Sequence, residues 1–237
     1  VAAWLERVLG ADGPSLALVY AELALAFPLL ASVLHFRRFR GTSGEFRAVG
    51  RYFLLFSGLV LAAPLALVLL TAARPLVLLA SAGWTFGRAG LGLALTLAGL
   101  PLAVLAGRLG SRDPAMQRMY PFAKAACASP GTFAGYELAY FGFYYVPWEA
   151  AFRGLLFLPL IPVLGLVPAL AIQTAISTLL HLGHPDTEIA AAAGAGIAFG
   201  LVAYVTGSFL YPLVLHASTG ISTDTFLCLS RRKGSLP

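Results

Sequence analysis

The chain is 237 residues long, 59% hydrophobic and only 11% charged, with a formal net charge of +6. Ordinary soluble domains are about half apolar and about a quarter charged, so a mean hydropathy of +0.84 excludes that class and points to a bundle of transmembrane helices. Basic loops facing anionic lipid account for the positive charge, and no nucleic-acid partner is inferred from it.

Residues 1 to 13 include Glu6, Arg7 and Asp12, and the apolar run that follows is too long for a signal-peptide core, so the first span is expected to be retained. Runs of ~20 apolar residues, enough to cross ~30 Å of hydrocarbon, fall near 14–36, 52–73, 89–107, 143–160, 163–181, 189–206 and 208–229. The expectation is an all-α polytopic transmembrane bundle of about seven spans. The shorter run "PLVLLASAGW" at 75–84 reads as a re-entrant or surface element, with an eighth crossing as the alternative. The aromatic stretch 132–145, which carries Glu137, either extends the fourth span or lies beside it as an interfacial helix, and Pro147 is the expected break or kink. Residues 1–131 form N-terminal helices with basic loops, 132–229 a core carrying the polar residues, and 230–237 a basic tail, all within one integral membrane domain.

Twelve of the 16 Lys and Arg follow spans one, three and seven: Arg37, Arg38, Arg40, Arg47, Arg51, then Arg108, Arg112, Arg118, Lys124, then Arg231, Arg232, Lys233. With seven spans these segments share a side, which the positive-inside rule makes cytoplasmic, so the N-terminus is expected outside and the C-terminus inside. Cys127 and Cys228 form no metal-ligand spacing and identify no redox compartment.

Ionisable groups within lipid cost several kcal/mol unless paired, so those in the last four spans carry the information. Glu149 and Arg153 are four residues apart and share a helix face, where the guanidinium can hold the carboxylate in place. Downstream, "STLLHLGHPDTE" ends span five with His181 and continues through His184 to Glu188, while His216 lies within span seven with Asp224 eight residues on. Imidazole and carboxylate activate water near neutral pH and are also common zinc ligands. A lone histidine on an apolar helix is usually a satisfied polar group, but two of them with a buried Glu–Arg pair make a shared site a serious alternative.

The segment "WEAAFRG", from Glu149 through Phe152, Arg153 and Gly154, followed by His181 and His216 on separate helices, resembles the CPBP family of CAAX proteases, bacteriocin-processing enzymes and abortive-infection proteins. The resemblance spans about residues 132–229 and implies a helix bundle that hydrolyses a peptide bond in or near the membrane, at a site toward the cytoplasmic face. It departs from the family pattern in three places. Trp148 stands where the first of two glutamates is usual, Ser177 where an aromatic is typical, and Gly220 where a polar residue often helps hold the oxyanion. Trp-Glu, the His-x-Gly-x-Pro-x-x-Glu turn with Glu188, and the late Asp224 are similar to a divergent bacterial branch, which implies the bacterial plasma membrane.

For that chemistry the catalytic candidates are Glu149 and His181, activating water and protonating the leaving amine, and His216, donating to the oxyanion with Thr219 or Thr223 beside it. Arg153, Trp148, Glu188, Thr219 and Asp224 are supporting candidates. Alternatively Glu149, His181 and His216 hold a zinc; with no His-Glu-x-x-His helix and no cysteine ligand, metal-free chemistry is put ahead. The expected partner is a membrane peptide or lipid-modified protein. A catalytically silent member that binds such a partner, and a transporter or ion-binding protein, are the other readings, although no internal repeat with paired broken helices supports transport.

A shared site has a geometric condition. One unbroken helix from Thr132 would carry Glu149 ~25 Å along its axis and past His181, so 132–145 is expected to be separate or sharply kinked.

Overall fold

The computed structural model describes residues 10–39 and 45–234; Arg7 and Arg40 of the basic count and the last residues of the tail lie outside these. The described residues are helical and connected by short turns: α1 Gly13–Ala31, α2 Glu45–Thr71, α3 Pro75–Ser81, α4 Ala89–Gly110, α5 Pro114–Met119, α6 Pro130–Leu164, α7 Leu166–Leu179, α8 Asp186–Thr206 and α9 Leu210–Arg232. Five are long and apolar enough to cross a membrane: Gly10–Ala31, α2, α4, α6 and α8. The other two expected spans differ. With 14 residues, α7 rises ~21 Å, short of a ~30 Å hydrocarbon core, while α9 is long enough but carries His216, Asp224 and a series of Ser and Thr along its length. The run at 75–84 yields the seven-residue α3, too short to cross.

The expected break at Pro147 is absent, because α6 runs continuously from Pro130 to Leu164. Proline lacks the N–H that would close a helical turn and its ring crowds the carbonyl four residues back, which ordinarily kinks or ends a helix. Here the strain is taken up by π-helical turns. Segments Gly58–Ala62, Phe141–Tyr145 and Ala150–Phe157 widen the helix, and each ends two residues before a proline: Pro64, Pro147 and Pro159. Widened turns of this kind are rare and often mark functional positions.

An unbroken α6 still brings Glu149 to the depth of His181, because depth is set by the hairpin and not by the helix start. Gly165 alone joins α6 to α7, with φ of 80°, a conformation open to glycine but strained for other residues. Glu149 lies sixteen residues before that turn and His181 sixteen after it, so two antiparallel arms of equal length carry both to one level. The 132–145 stretch simply extends α6 beyond that level. Ser129 and Thr132 form a capping box at its start, and Tyr136, Tyr140 and Tyr144, spaced by four, turn one aromatic face inward.

Hydrogen bonds gather the basic segments at one end of the bundle. Arg231 donates to the carbonyls of Gln117 and Tyr120, Arg232 to that of Cys127, and Arg37 to that of Gly183. Cys127 and Cys228 are joined there as a disulfide, with Cα atoms 4.8 Å apart. Asp113 caps α5 and accepts the Thr187 hydroxyl, contacts that hold its carboxyl below the usual range. The opposite end is marked by Arg74 N–H donating to Asp12 and Arg88 N–H to the Thr206 carbonyl. Between the ends, α2 and α6 share an aromatic core that includes Phe53, Phe56, Tyr140, Tyr144 and Trp148. Leu25, Leu70, Leu76, Leu138 and Val167 are more than 70% exposed on the outer surface, which suits contact with lipid.

Candidate functional site

Of "WEAAFRG", Glu149 ends the α-helical turn between two π-helical segments of α6 and Arg153 lies on the second of them, and both are almost fully buried. Arg153 Nη1 lies 3.2 Å from Glu149 Oε1, and the guanidinium carbon lies 5.7 Å from the centre of the Phe199 ring on α8. The pair is close but not fully satisfied: Glu149 Oε2 and Arg153 Nε have no hydrogen-bond partner. Glu149 Oε1 has a second neighbour, His216 Nδ1 of α9, at 2.6 Å. A carboxylate accepts and does not donate, so Nδ1 carries the hydrogen and Nε2 is the ring nitrogen left unengaged. His181 is arranged in the same way, with Nδ1 2.8 Å from the Ser177 carbonyl one turn back on α7. A backbone carbonyl also only accepts, so Nε2 of the neutral ring is the acceptor.

Both histidines line a cavity of about 490 Å³ between α4, α6, α8 and α9. The Trp148 ring packs against both, 5.0 Å from His181 and 6.2 Å from His216, edge to face with each. Most of the wall is apolar, much of it small side chains of α8 such as Ala191, Ala195 and Ala198. Glu149 is not part of the wall; it lies behind His216 and reaches the cavity through that ring.

The supporting candidates are dispersed around the same cavity. Glu188 lies on its wall, bonded to Tyr120 and His184. Thr219 lines it too, but its hydroxyl donates to the Leu215 carbonyl and Thr223 to that of Thr219, so neither is the free donor expected for an oxyanion. Asp224 faces Glu137 within the field of Lys124 and Arg231, two helical turns beyond His216.

Three residues of the site carry roles the sequence reading did not assign. His184 was placed in the turn without a function. Its Nδ1 lies 2.8 Å from the Tyr120 hydroxyl and 3.0 Å from Glu188 Oε1. Tyr120, in the loop after α5, donates its hydroxyl to Glu188 Oε1 at 2.7 Å; burial and the nearby Glu188 carboxylate push its phenol well above the usual value, so it stays a donor. Tyr145 lies with its ring 5.1 Å from His216, and its hydroxyl occupies the space over Gly220. A Cβ at position 220 would sit 1.7 Å from that oxygen, so the glycine makes room for a phenol supplied by α6.

Among the described residues no three His, Cys, Asp or Glu side chains are grouped to hold a metal ion. Glu149, His181 and His216 are not drawn together as such a group: Glu149 Oε1 is shared by Arg153 and His216, and both imidazoles pack edge to face against the Trp148 ring.

Residues 124–221 match the family model Rce1-like, described as type II CAAX prenyl endopeptidase Rce1-like. Neither a curated protein nor a solved structure matches the chain. The matched segment contains Glu149, Arg153, His181, Glu188 and His216, the residues that converge on the cavity or stand directly behind it, so the likeness to the CPBP/Rce1-like CAAX proteases covers the part of the chain that builds the site.

Proposed function

We propose that the protein is an intramembrane endopeptidase of the CPBP type, hydrolysing a peptide bond of a membrane-associated protein or lipid-modified peptide. The observation that carries this reading is that His181, from the turn after α7, and His216, from α9, line one cavity with each Nδ1 anchored and each Nε2 unengaged. Amide hydrolysis needs an activated water, a proton for the leaving nitrogen and donors toward the oxyanion. His181, neutral with Nε2 as acceptor, receives a proton and delivers it to the leaving nitrogen. The Tyr145 hydroxyl donates to the substrate carbonyl oxygen, and so does Nε2–H of His216 in its doubly protonated form, with Nδ1–H held by Glu149 Oε1. Glu149 acts through His216, fixing its ring, and Arg153 makes burial of that carboxylate tolerable. No step here passes through a metal.

We place the basic end on the cytoplasmic side of a bacterial plasma membrane, with seven crossings that include α7 and α9 and an outside N-terminus. The positive-inside rule and the gathering of Arg37, Lys124, Arg231 and Arg232 at one end support this.

A silenced member that captures a membrane peptide is favoured by one observation, that Trp148 and not a carboxylate packs against both histidines. Reconstituted chain and internally quenched peptides with an apolar segment, with or without an S-farnesyl cysteine, decide between the readings. The peptidase reading expects fragments that disappear in His181→Ala and His216→Ala. Peptide capture without cleavage, unaffected by either substitution, supports the silenced one.

A further inference from the structure

The peptidase reading requires a group to take a proton from the attacking water, and the position of Glu149 behind His216 removes it from direct contact with that water. Among the described residues the carboxylates lining the cavity are Glu188 and Asp224. Asp224 lies eight residues beyond His216 on α9, ~12 Å along the axis, where it faces Glu137 and the cations Lys124 and Arg231. Glu188 lies on the first turn of α8, beside the turn that carries His181. It is the carboxylate at the histidine end.

Glu188 is held as a base should be held. Its Oε1 accepts the Tyr120 hydroxyl at 2.7 Å and faces His184 Nδ1 at 3.0 Å, which fixes the carboxylate through one oxygen. Its Oε2 is buried and has no hydrogen-bond partner. Burial of an unpaired carboxylate oxygen costs free energy, so its retention in a cavity wall calls for a use. The His184 ring lies 5.4 Å from that of His181, so the proton carrier of the proposed reaction stands next to the dyad.

We propose that Glu188 is the carboxylate that deprotonates the attacking water, oriented for that task by Tyr120 and His184; this rests on the peptidase reading. Oε2 takes one proton from water as the water oxygen bonds to the amide carbon. The carbonyl π electron pair moves onto oxygen, which accepts hydrogen bonds from the Tyr145 hydroxyl and from Nε2–H of doubly protonated His216. As the tetrahedral intermediate collapses, the carbon–nitrogen bond breaks and its electron pair leaves with nitrogen. The proton held by Glu188 passes through His181 to that nitrogen, and the carboxylate is regenerated.

The test uses the full chain in vesicles with the quenched apolar peptides, comparing Glu188→Gln, Glu188→Ala and Tyr120→Phe, with folding followed by gel filtration and thermal melting. Glu188→Gln is expected to stay folded, with kcat reduced by about 10²- to 10⁴-fold and KM little changed. Glu188→Ala is expected to regain hydrolysis when formate is added, a readout that a purely structural carboxylate would not give, and Tyr120→Phe to lose less than Glu188→Gln. A kcat for Glu188→Gln within about twofold of wild type, while His216→Ala is inactive, overturns the assignment and leaves the peptidase reading standing. If Glu188→Gln unfolds and folded Glu188→Ala gains nothing from formate, Glu188 is a structural group and the assignment also falls. Absence of cleavage by the wild-type chain overturns both.

Discussion

His216 Nδ1 lies 2.6 Å from Glu149 Oε1, and this contact joins α9 to α6 through a carboxylate that does not itself line the cavity. Carboxylate, imidazole and cavity stand in series, and Arg153 supports the series from behind at 3.2 Å.

Glu149 and Arg153 should therefore fail in different ways. Glu149→Gln keeps shape and polarity, so the chain is expected to fold and to lose activity mainly in kcat. Arg153→Ala strands a carboxylate in low dielectric and is expected to cost about 3–5 kcal/mol, visible as lower expression and a lower melting temperature. Thermal melts of both purified variants, beside kcat and KM for Glu149→Gln, check this; equal destabilisation by the two would remove the distinction.

Gly220 and Tyr145 form a second dependent pair. Gly220→Ala places a methyl group 1.7 Å from the Tyr145 hydroxyl oxygen and is expected to destabilise by about 1–3 kcal/mol and to impair activity. Tyr145→Phe is expected to leave the fold intact and reduce kcat by about 10²- to 10³-fold. In the Gly220→Ala background, Tyr145→Phe should recover part of the stability and none of the activity. A double variant no more stable than Gly220→Ala would mean that the hydroxyl is not the obstructing group.

The sequence revealed part of this arrangement for physical reasons. Glu149 and Arg153 are four apart on an apolar helix, so their pairing follows from helical geometry. His181 and His216 were legible because imidazole is expensive in lipid. The depth of Glu149 was misjudged by measuring from Thr132, when the turn at Gly165 is what sets it. Which way Glu149 faces was not legible either, because the π-helical turns at 141–145 and 150–157 change the rotation of every later side chain on α6. Tyr120 and Tyr145 gave no signal, since their roles arise from contacts between helices far apart in sequence, and a tyrosine in an aromatic stretch ordinarily reads as packing.

The Cys127–Cys228 bridge joins residues 101 positions apart and takes in most of the family-matched segment. Cys127→Ser is expected to lower stability by about 2–4 kcal/mol in chain purified without reductant, and to have little effect when wild type is compared under reducing conditions. Because the bridge lies at the end placed in the reducing cytoplasm, mass spectrometry after alkylation of unfolded chain purified under oxidising conditions should find no free thiol. Two alkylated cysteines would show the bridge is not formed.

Orientation has its own check. A reporter fused after Lys233 should report the cytoplasm, and one placed before Trp4 the outside, as an odd number of crossings requires. Reporters on the same side would contradict seven crossings.

Peptide hydrolysis in ¹⁸O-labelled water tests the central claim most directly, using the reconstituted wild-type chain and His216→Ala on the same quenched peptides. The account predicts cleavage by the wild type, with one ¹⁸O in the newly formed carboxyl group of the N-terminal fragment, and no such fragment from His216→Ala. Intact peptide after incubation with the wild-type chain, or equal labelled cleavage by His216→Ala, would contradict it.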